Sequence, residues 1–174
     1  WIEVLKSGIE KLIDNPSPRE RSYTPKDGTA PFFQDLCNWQ RIPEFEKFIF
    51  NSDIGEVASK LMQSNVSRFF HDHVLVKEPG SSIVTPWHQD QSYYCTSGKQ
   101  TISFWIPLDN ISLNNTLSCI SGSHKWGKLH KPKRFDGTDL FENDNSEDVP
   151  DIDNNLDQYE ILSWPMEPGD AIGF

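Results

Sequence analysis

The chain has 174 residues, with 16 Lys+Arg against 26 Asp+Glu for a formal net charge of −10. That excess is regional: residues 1–134 hold every basic residue and 14 acidic ones, while residues 135–174 hold 12 acidic residues and no Lys or Arg. A broad basic face for nucleic acid or an anionic membrane surface is therefore excluded as the default partner, and 36 % apolar with 12 % aromatic residues excludes a disordered chain.

Residues 2–13 place Ile2, Leu5, Ile9, Leu12 and Ile13 at helical spacing, which predicts an amphipathic helix ended by Asn15-Pro16-Ser17-Pro18. Loop follows to Pro31. Residues 32–50 are aromatic-rich and read as partly helical, with Pro43 suited to a first helical turn. Asp53 and Glu56 form a capping-box pattern before Ile54, Val57, Ala58, Leu61 and Met62, a second clear helix. Past Asn65 the period turns from helical to alternating. Val66–Lys77, Gln100–Leu108, Thr116–Ile120, Gln158–Trp164 and Asp170–Phe174 read as strands. Residues 135–157 are acidic and read as a surface loop. Helices first and antiparallel-looking strands after, without βαβ alternation, predict a mainly β fold with N-terminal helices, a sandwich or jelly roll.

No apolar run approaches the roughly 18 residues of a membrane helix. Cys37, Cys95 and Cys119 are widely spaced, form no CxxC pair and suit a reducing, cytoplasmic setting. The chain begins at Trp1 and stops inside an apolar strand after Glu167-Pro168-Gly169-Asp170, so it reads as part of a longer protein.

The chemistry centres on Thr85-Pro86-Trp87-His88-Gln89-Asp90-Gln91-Ser92-Tyr93-Tyr94. On extended backbone, residues two apart share a face, so His88 and Asp90 can act as two ligands of a two-His-one-carboxylate site, which favours Fe(II) and leaves positions open for substrate and oxygen. The plain alternative is a surface His beside a solvated Asp. By the same alternation Thr101, Ser103, Trp105 and Pro107 share one face, and His71, His73, Leu75 and Lys77 another. If that second face looks inward, His73 and Lys77 line a pocket. His71 and His73 are equally readable as ordinary core or surface histidines, and His124, after a Gly-Ser turn, as a backbone-bonding one. The basic run Lys125, Lys128, Lys131, Lys133 and Arg134, with His130 inside it, reads as a solvated segment offsetting the acidic loop, the alternative being a role in binding an anionic substrate. Glu147, Asp148, Asp151 and Asp153 lack the Gly and terminal Glu of a calcium loop.

Five pieces in order resemble the phytanoyl-CoA dioxygenase family of Fe(II)- and 2-oxoglutarate-dependent oxygenases: Asp72–Gly80, the PWHQDQ segment, FWIPLD, SGSHKWG and EPGD. The resemblance covers nearly the whole chain. It implies a single domain: residues 1–64 as a helical part and 65–174 as a double-stranded β-helix (cupin-like jelly roll), truncated at its C-terminal strands. It implies His88 and Asp90 as the first two iron ligands, the third ligand, a His, and a 2-oxoglutarate-binding Arg both falling after Phe174. Trp105 matches a position close to 2-oxoglutarate, with Ser103, Thr101, His73 and Lys77 as further candidates, and Tyr93, Tyr94 and Trp126 are expected at the mouth where a small-molecule substrate lies. The implied reaction consumes O2 and 2-oxoglutarate, releases succinate and CO2, and hydroxylates a C–H bond. A carboxylate at position 90 favours hydroxylation over halogenation, and residues 1–174 should be inactive by themselves. Two other readings share these features: a non-catalytic jelly-roll binding module that retains part of the metal site, and a metal-dependent cupin enzyme indifferent to 2-oxoglutarate.

Overall fold

The computed structural model describes residues 1–142 and 144–174. The chain gathers into two compact units, Trp1–Ile83 and Val84–Phe174.

In the first unit, α1 (Ile2–Asp14) buries Leu12 completely and ends at Asn15, whose N–H reaches the Lys11 carbonyl. Two prolines, Pro16 and Pro18, keep it from continuing. Strand β1 (Phe32–Leu36) follows, then α2 (Pro43–Asn51) with Pro43 in its first turn, and α3 (Ile54–Leu61). Strand β2 (His73–Lys77) returns antiparallel to β1, pairing Phe32 with Lys77 and Leu36 with His73. Leu12, Ile42, Phe45 and Val74 form the core, with Leu5, Ile9, Phe33, Trp39, Ile49 and Val76 packed on it.

Three local differences from the sequence reading have physical causes. Phe32–Leu36 is a strand rather than the start of a helix, because its backbone is claimed by β2 on one side and Tyr23 on the other. The strand expected over Val66–Lys77 begins only at His73. Before it, Ser67 donates to the Gly55 carbonyl, Phe69 packs edge-on against Trp39, and the Asp72 carboxylate accepts the N–H groups of Asn38 and Trp39. The expected capping box does not form: Asp53 precedes α3 with no side-chain cap, and Glu56 pairs with Lys60 one turn on.

The second unit is built from short antiparallel pairs. Strand β3 (Phe104–Trp105) pairs with β6 (Ile172–Gly173), and β4 (Ser118–Ile120) with β5 (Ile161–Ser163). Mutual backbone bonds between Ser103 and Phe174 lengthen the first pair, and Ile111 bridges Met166. The strands are shorter than the alternating pattern suggested. Among the described residues there are three two-stranded sheets, the β1–β2 pair included. The Pro168-Gly169 turn is closed by Asp170, whose carboxylate accepts from the Glu167 N–H at 2.8 Å. Among the described residues no helix is long and apolar enough to cross a membrane.

Two predictions concern the first unit. Gly8 lets α1 approach α2, because a Cβ there would stand 2.6 Å from the Phe45 ring. Gly8→Ala should cost about 1–2 kcal/mol in urea unfolding, overpacking outweighing the helix propensity gained. Asp35 is fully buried and accepts from the Ser17 N–H and hydroxyl and the Leu36 N–H. Burial alone would raise its pKa, but these hydrogen bonds, with Asn38, outweigh it and hold the carboxyl below its ordinary value. The stabilisation is thus present above the unfolded-state pKa and lost as pH falls through the lower folded value. Asp35→Asn should cost about 2 kcal/mol at neutral pH, the difference from wild type closing in acid.

Candidate active site

The site grows from the place where the chain changes conformation. Gln89 is extended, and Asp90–Tyr93 winds into a short 3₁₀ turn. The His88–Asp90 pair thus lies at an extended-to-3₁₀ junction and not within a paired strand, but the two side chains still converge, with His88 Nε2 3.2 Å from Asp90 Oδ1.

Each side chain is held from behind. His88 Nδ1 lies 2.7 Å from the Pro86 carbonyl, which can only accept, so Nδ1 carries a proton and Nε2 is the atom presented forward. Tyr93 sets its ring edge-on to the imidazole, centroids 5.6 Å apart. The second carboxylate oxygen of Asp90 accepts from the Ser103 hydroxyl at 2.5 Å and from the Tyr94 hydroxyl at 3.1 Å. Tyr94 and Ser103 are themselves 3.2 Å apart. One Asp90 oxygen is thereby committed to the protein, and Oδ1 is left beside the imidazole.

The electrostatics follow from this wiring. Burial opposes charge on His88, but Asp90 and the Pro86 carbonyl overcome it and raise the imidazole pKa. Burial opposes charge on Asp90 too, yet His88, Ser103 and Tyr94 hold its carboxyl below the ordinary range. Tyr94, desolvated and next to that carboxylate, is pushed up to about 12 and is a donor at every physiological pH. Burial, with Asp90 adding to it, raises the Cys119 thiol as well.

This donor set fits a metal ion in part. Two donors about 2.1 Å from an octahedral ion and at right angles stand about 3.0 Å apart, close to the observed 3.2 Å. An imidazole nitrogen, once a metal takes the place of its proton, and the carboxylate oxygen beside it are the right chemistry for Fe(II). Among the described residues no group of three His, Cys, Asp or Glu gathers to complete a site.

The other expected residues fall in several places. Ser103 joins the pair directly, and strand alternation puts Trp105 on the same side of the chain two residues on. Thr101 is exposed, ahead of β3. Tyr94, expected at a pocket mouth, bonds Asp90, and the Tyr93 hydroxyl bonds the backbone of Lys133. Trp126 packs edge-on to His130. His73 and Lys77 belong to the first unit and share their face with Phe32, Gln34 and Leu36, while Val74 and Val76 face the helical core. His73 Nε2 lies 2.9 Å from Gln34 Oε1. Lys77 bonds the Ile83 carbonyl and sits over the Phe32 ring, and its pKa is lowered by burial.

Sequence reasoning passed over Pro86 and Gln89. Pro86 acts through a carbonyl, which leaves no residue-type signal. Gln89 had one: on extended backbone the residue between two converging side chains must point the other way.

Over residues 1–174 the chain matches the phytanoyl-CoA dioxygenase (PhyH) family and belongs to it. Members of that family are generally Fe(II)- and 2-oxoglutarate-dependent oxygenases. A phytanoyl-CoA dioxygenase of Arabidopsis thaliana is 28 % identical over 131 residues, covering 75 % of this chain and 43 % of the relative, so the match spans less than half of that protein. No solved structure matches.

Ser103→Ala removes a donor from a half-buried carboxylate that stays charged. It should destabilise by about 1–2 kcal/mol in urea unfolding, with Ser103→Thr recovering most of the loss.

Proposed function

We propose that this chain carries the metal-binding part of an Fe(II)- and 2-oxoglutarate-dependent dioxygenase that hydroxylates a C–H bond of a small-molecule substrate and releases succinate and CO2. The observation that carries the reading is the His88 Nε2–Asp90 Oδ1 pair, 3.2 Å apart and tied from behind on both sides. Family membership supports it.

His88 and Asp90 hold Fe(II) in this reading, with a third ligand, a His, and a 2-oxoglutarate-binding Arg supplied from outside residues 1–174. When bound, the iron with 2-oxoglutarate supplies the activation of O2. The protein's own part is orientation. The Pro86 carbonyl keeps the proton on Nδ1, so the Nε2 lone pair faces the metal. Ser103 and Tyr94 occupy one carboxylate oxygen, so Asp90 binds through the other and stays anionic. Trp105, Ser103 and Thr101 lie on the chain that would flank 2-oxoglutarate, and Tyr93, Tyr94 and Trp126 are candidates for contact with substrate. In this reading the antiparallel pairs of the second unit are part of a jelly roll.

The test is succinate release by the full-length parent protein with Fe(II), 2-oxoglutarate and a panel of small molecules. His88→Ala and Asp90→Ala should each lower 2-oxoglutarate turnover at least about 100-fold, the loss of an interaction worth about 3 kcal/mol. Absence of iron-dependent succinate, together with unchanged metal binding in His88→Ala, overturns the proposal and favours a non-catalytic module. Metal-dependent turnover indifferent to 2-oxoglutarate favours a cupin-type enzyme instead.

A further inference from the structure

The side chains around His88 and Asp90 are divided between two duties. His88, Asp90 and Tyr94 converge on the site, whereas Trp87, Gln89 and the Tyr93 hydroxyl reach the chain that follows Trp126. Gln89 Nε2 donates to the Lys128 carbonyl at 3.2 Å, and Gln89 Oε1 accepts from the His130 backbone N–H at 2.9 Å. One side-chain amide thus pairs with the backbone of Lys128 and His130, as a neighbouring strand would. The Tyr93 hydroxyl donates to the Lys133 carbonyl at 2.6 Å and accepts from the Lys133 N–H at 3.0 Å. Its ring meanwhile rests against His88. Trp87 Nε1 donates to Asp153 at 2.8 Å.

The segment that receives these bonds is itself secured. His130 is only 3 % exposed, with Nδ1 donating to the Asp148 carbonyl at 3.0 Å and its ring edge-on to Trp126. Lys131 N–H donates to the Glu147 carbonyl at 2.8 Å. Lys128 pairs with Glu147 and Lys133 with Asp148. A buried ring and backbone bonds hold the segment, and ion pairs reinforce its outer side.

We propose that Gln89 and Tyr93 are positioning residues, which keep His88 and Asp90 in donor geometry by lacing the motif to Lys128–Lys133. The inference rests on the metal site proposed above. Gln89 is the single residue between the two ligands, so its backbone torsions set how far apart Nε2 and Oδ1 stand. Both halves of its amide are bonded to main-chain groups, which removes the rotation that would let the pair drift. Tyr93 fixes the imidazole from the other side, its ring located by its own hydroxyl. Neither residue needs to touch metal, 2-oxoglutarate or substrate.

The experiment compares Gln89→Ala, Gln89→Glu and Tyr93→Phe with wild type and an exposed control, Lys99→Gln, in the full-length parent protein. Gln89→Glu keeps the acceptor for His130 but sets a carboxylate against the Lys128 carbonyl. Tyr93→Phe keeps the ring and removes only its anchor. Anaerobic Fe(II) titration should show affinity falling about 10–100-fold in Gln89→Ala and about tenfold in the other two, the range seen when groups orienting a ligand are removed, with Lys99→Gln unchanged. In metal-free protein, ¹⁵N signals of the His88 imidazole should shift in all three variants, which a purely structural role would leave in place. Unchanged affinity and unchanged imidazole signals in folded variants overturn the proposal, and either result alone in both Gln89→Glu and Tyr93→Phe does so as well. If wild type takes up no iron, the function proposed above fails separately. The lacing then stands or falls on the imidazole signals, and unchanged signals overturn it. Should Gln89→Ala fail to fold, the two milder variants decide the matter.

Discussion

The second unit depends on how one carboxylate divides its oxygens. Asp90 gives Oδ2 to Ser103 and Tyr94 and leaves Oδ1 facing His88. A half-buried carboxylate must be satisfied by several donors to remain charged. Here Ser103 and Tyr94 satisfy one oxygen and His88 the other, so the same contacts that keep the carboxylate charged also fix its orientation. Ser103 reaches that position because its backbone is locked to Phe174 by two hydrogen bonds. The turn closed by Asp170 delivers the chain into that strand pair, so an ordinary Pro-Gly-Asp turn contributes to the carboxylate's geometry.

The same division recurs along the motif. Extended backbone sends alternate side chains to opposite sides, and the 3₁₀ turn at Asp90 then brings Tyr94 back under the carboxylate. The His88–Asp90 pair and its anchoring contacts therefore share one short stretch without competing for the same atoms. Tyr93 serves both, with its ring toward the imidazole and its hydroxyl toward Lys133.

What could be read from the sequence follows from the range of the forces involved. The amphipathic period marked α1 and α3, and Pro43 marked the start of α2, because these are local signals. The His-x-Asp pair was visible because two-residue spacing fixes direction on any extended chain. Phe32–Leu36 was not visible as a strand, since its aromatics fit either period and only pairing with His73–Lys77 decides it. The late start of β2 was hidden for a similar reason: Ser67 and Asp72 spend their polar groups on partners 12 and 34 positions away. His130 looked like part of a solvated basic run, yet it is buried, because Asp148, far along the chain, offers it a carbonyl. Tyr94 was legible as a residue near the site, but its bond to Asp90 required the 3₁₀ turn.

The basic run and the acidic loop were expected to offset each other, and Lys128–Glu147, Lys131–Asp139 and Lys133–Asp148 do so at contact distance. Exposed pairs of this kind contribute little stability, but they change the shape of the electric field. Opposite charges in contact act as dipoles, whose potential dies away more steeply than that of separate charges and is then screened by salt within about 10 Å. A doubly negative small molecule approaching this face would meet three short dipoles among its carboxylates, and would be turned away less than a run of 12 acidic residues without Lys or Arg over 135–174 suggests.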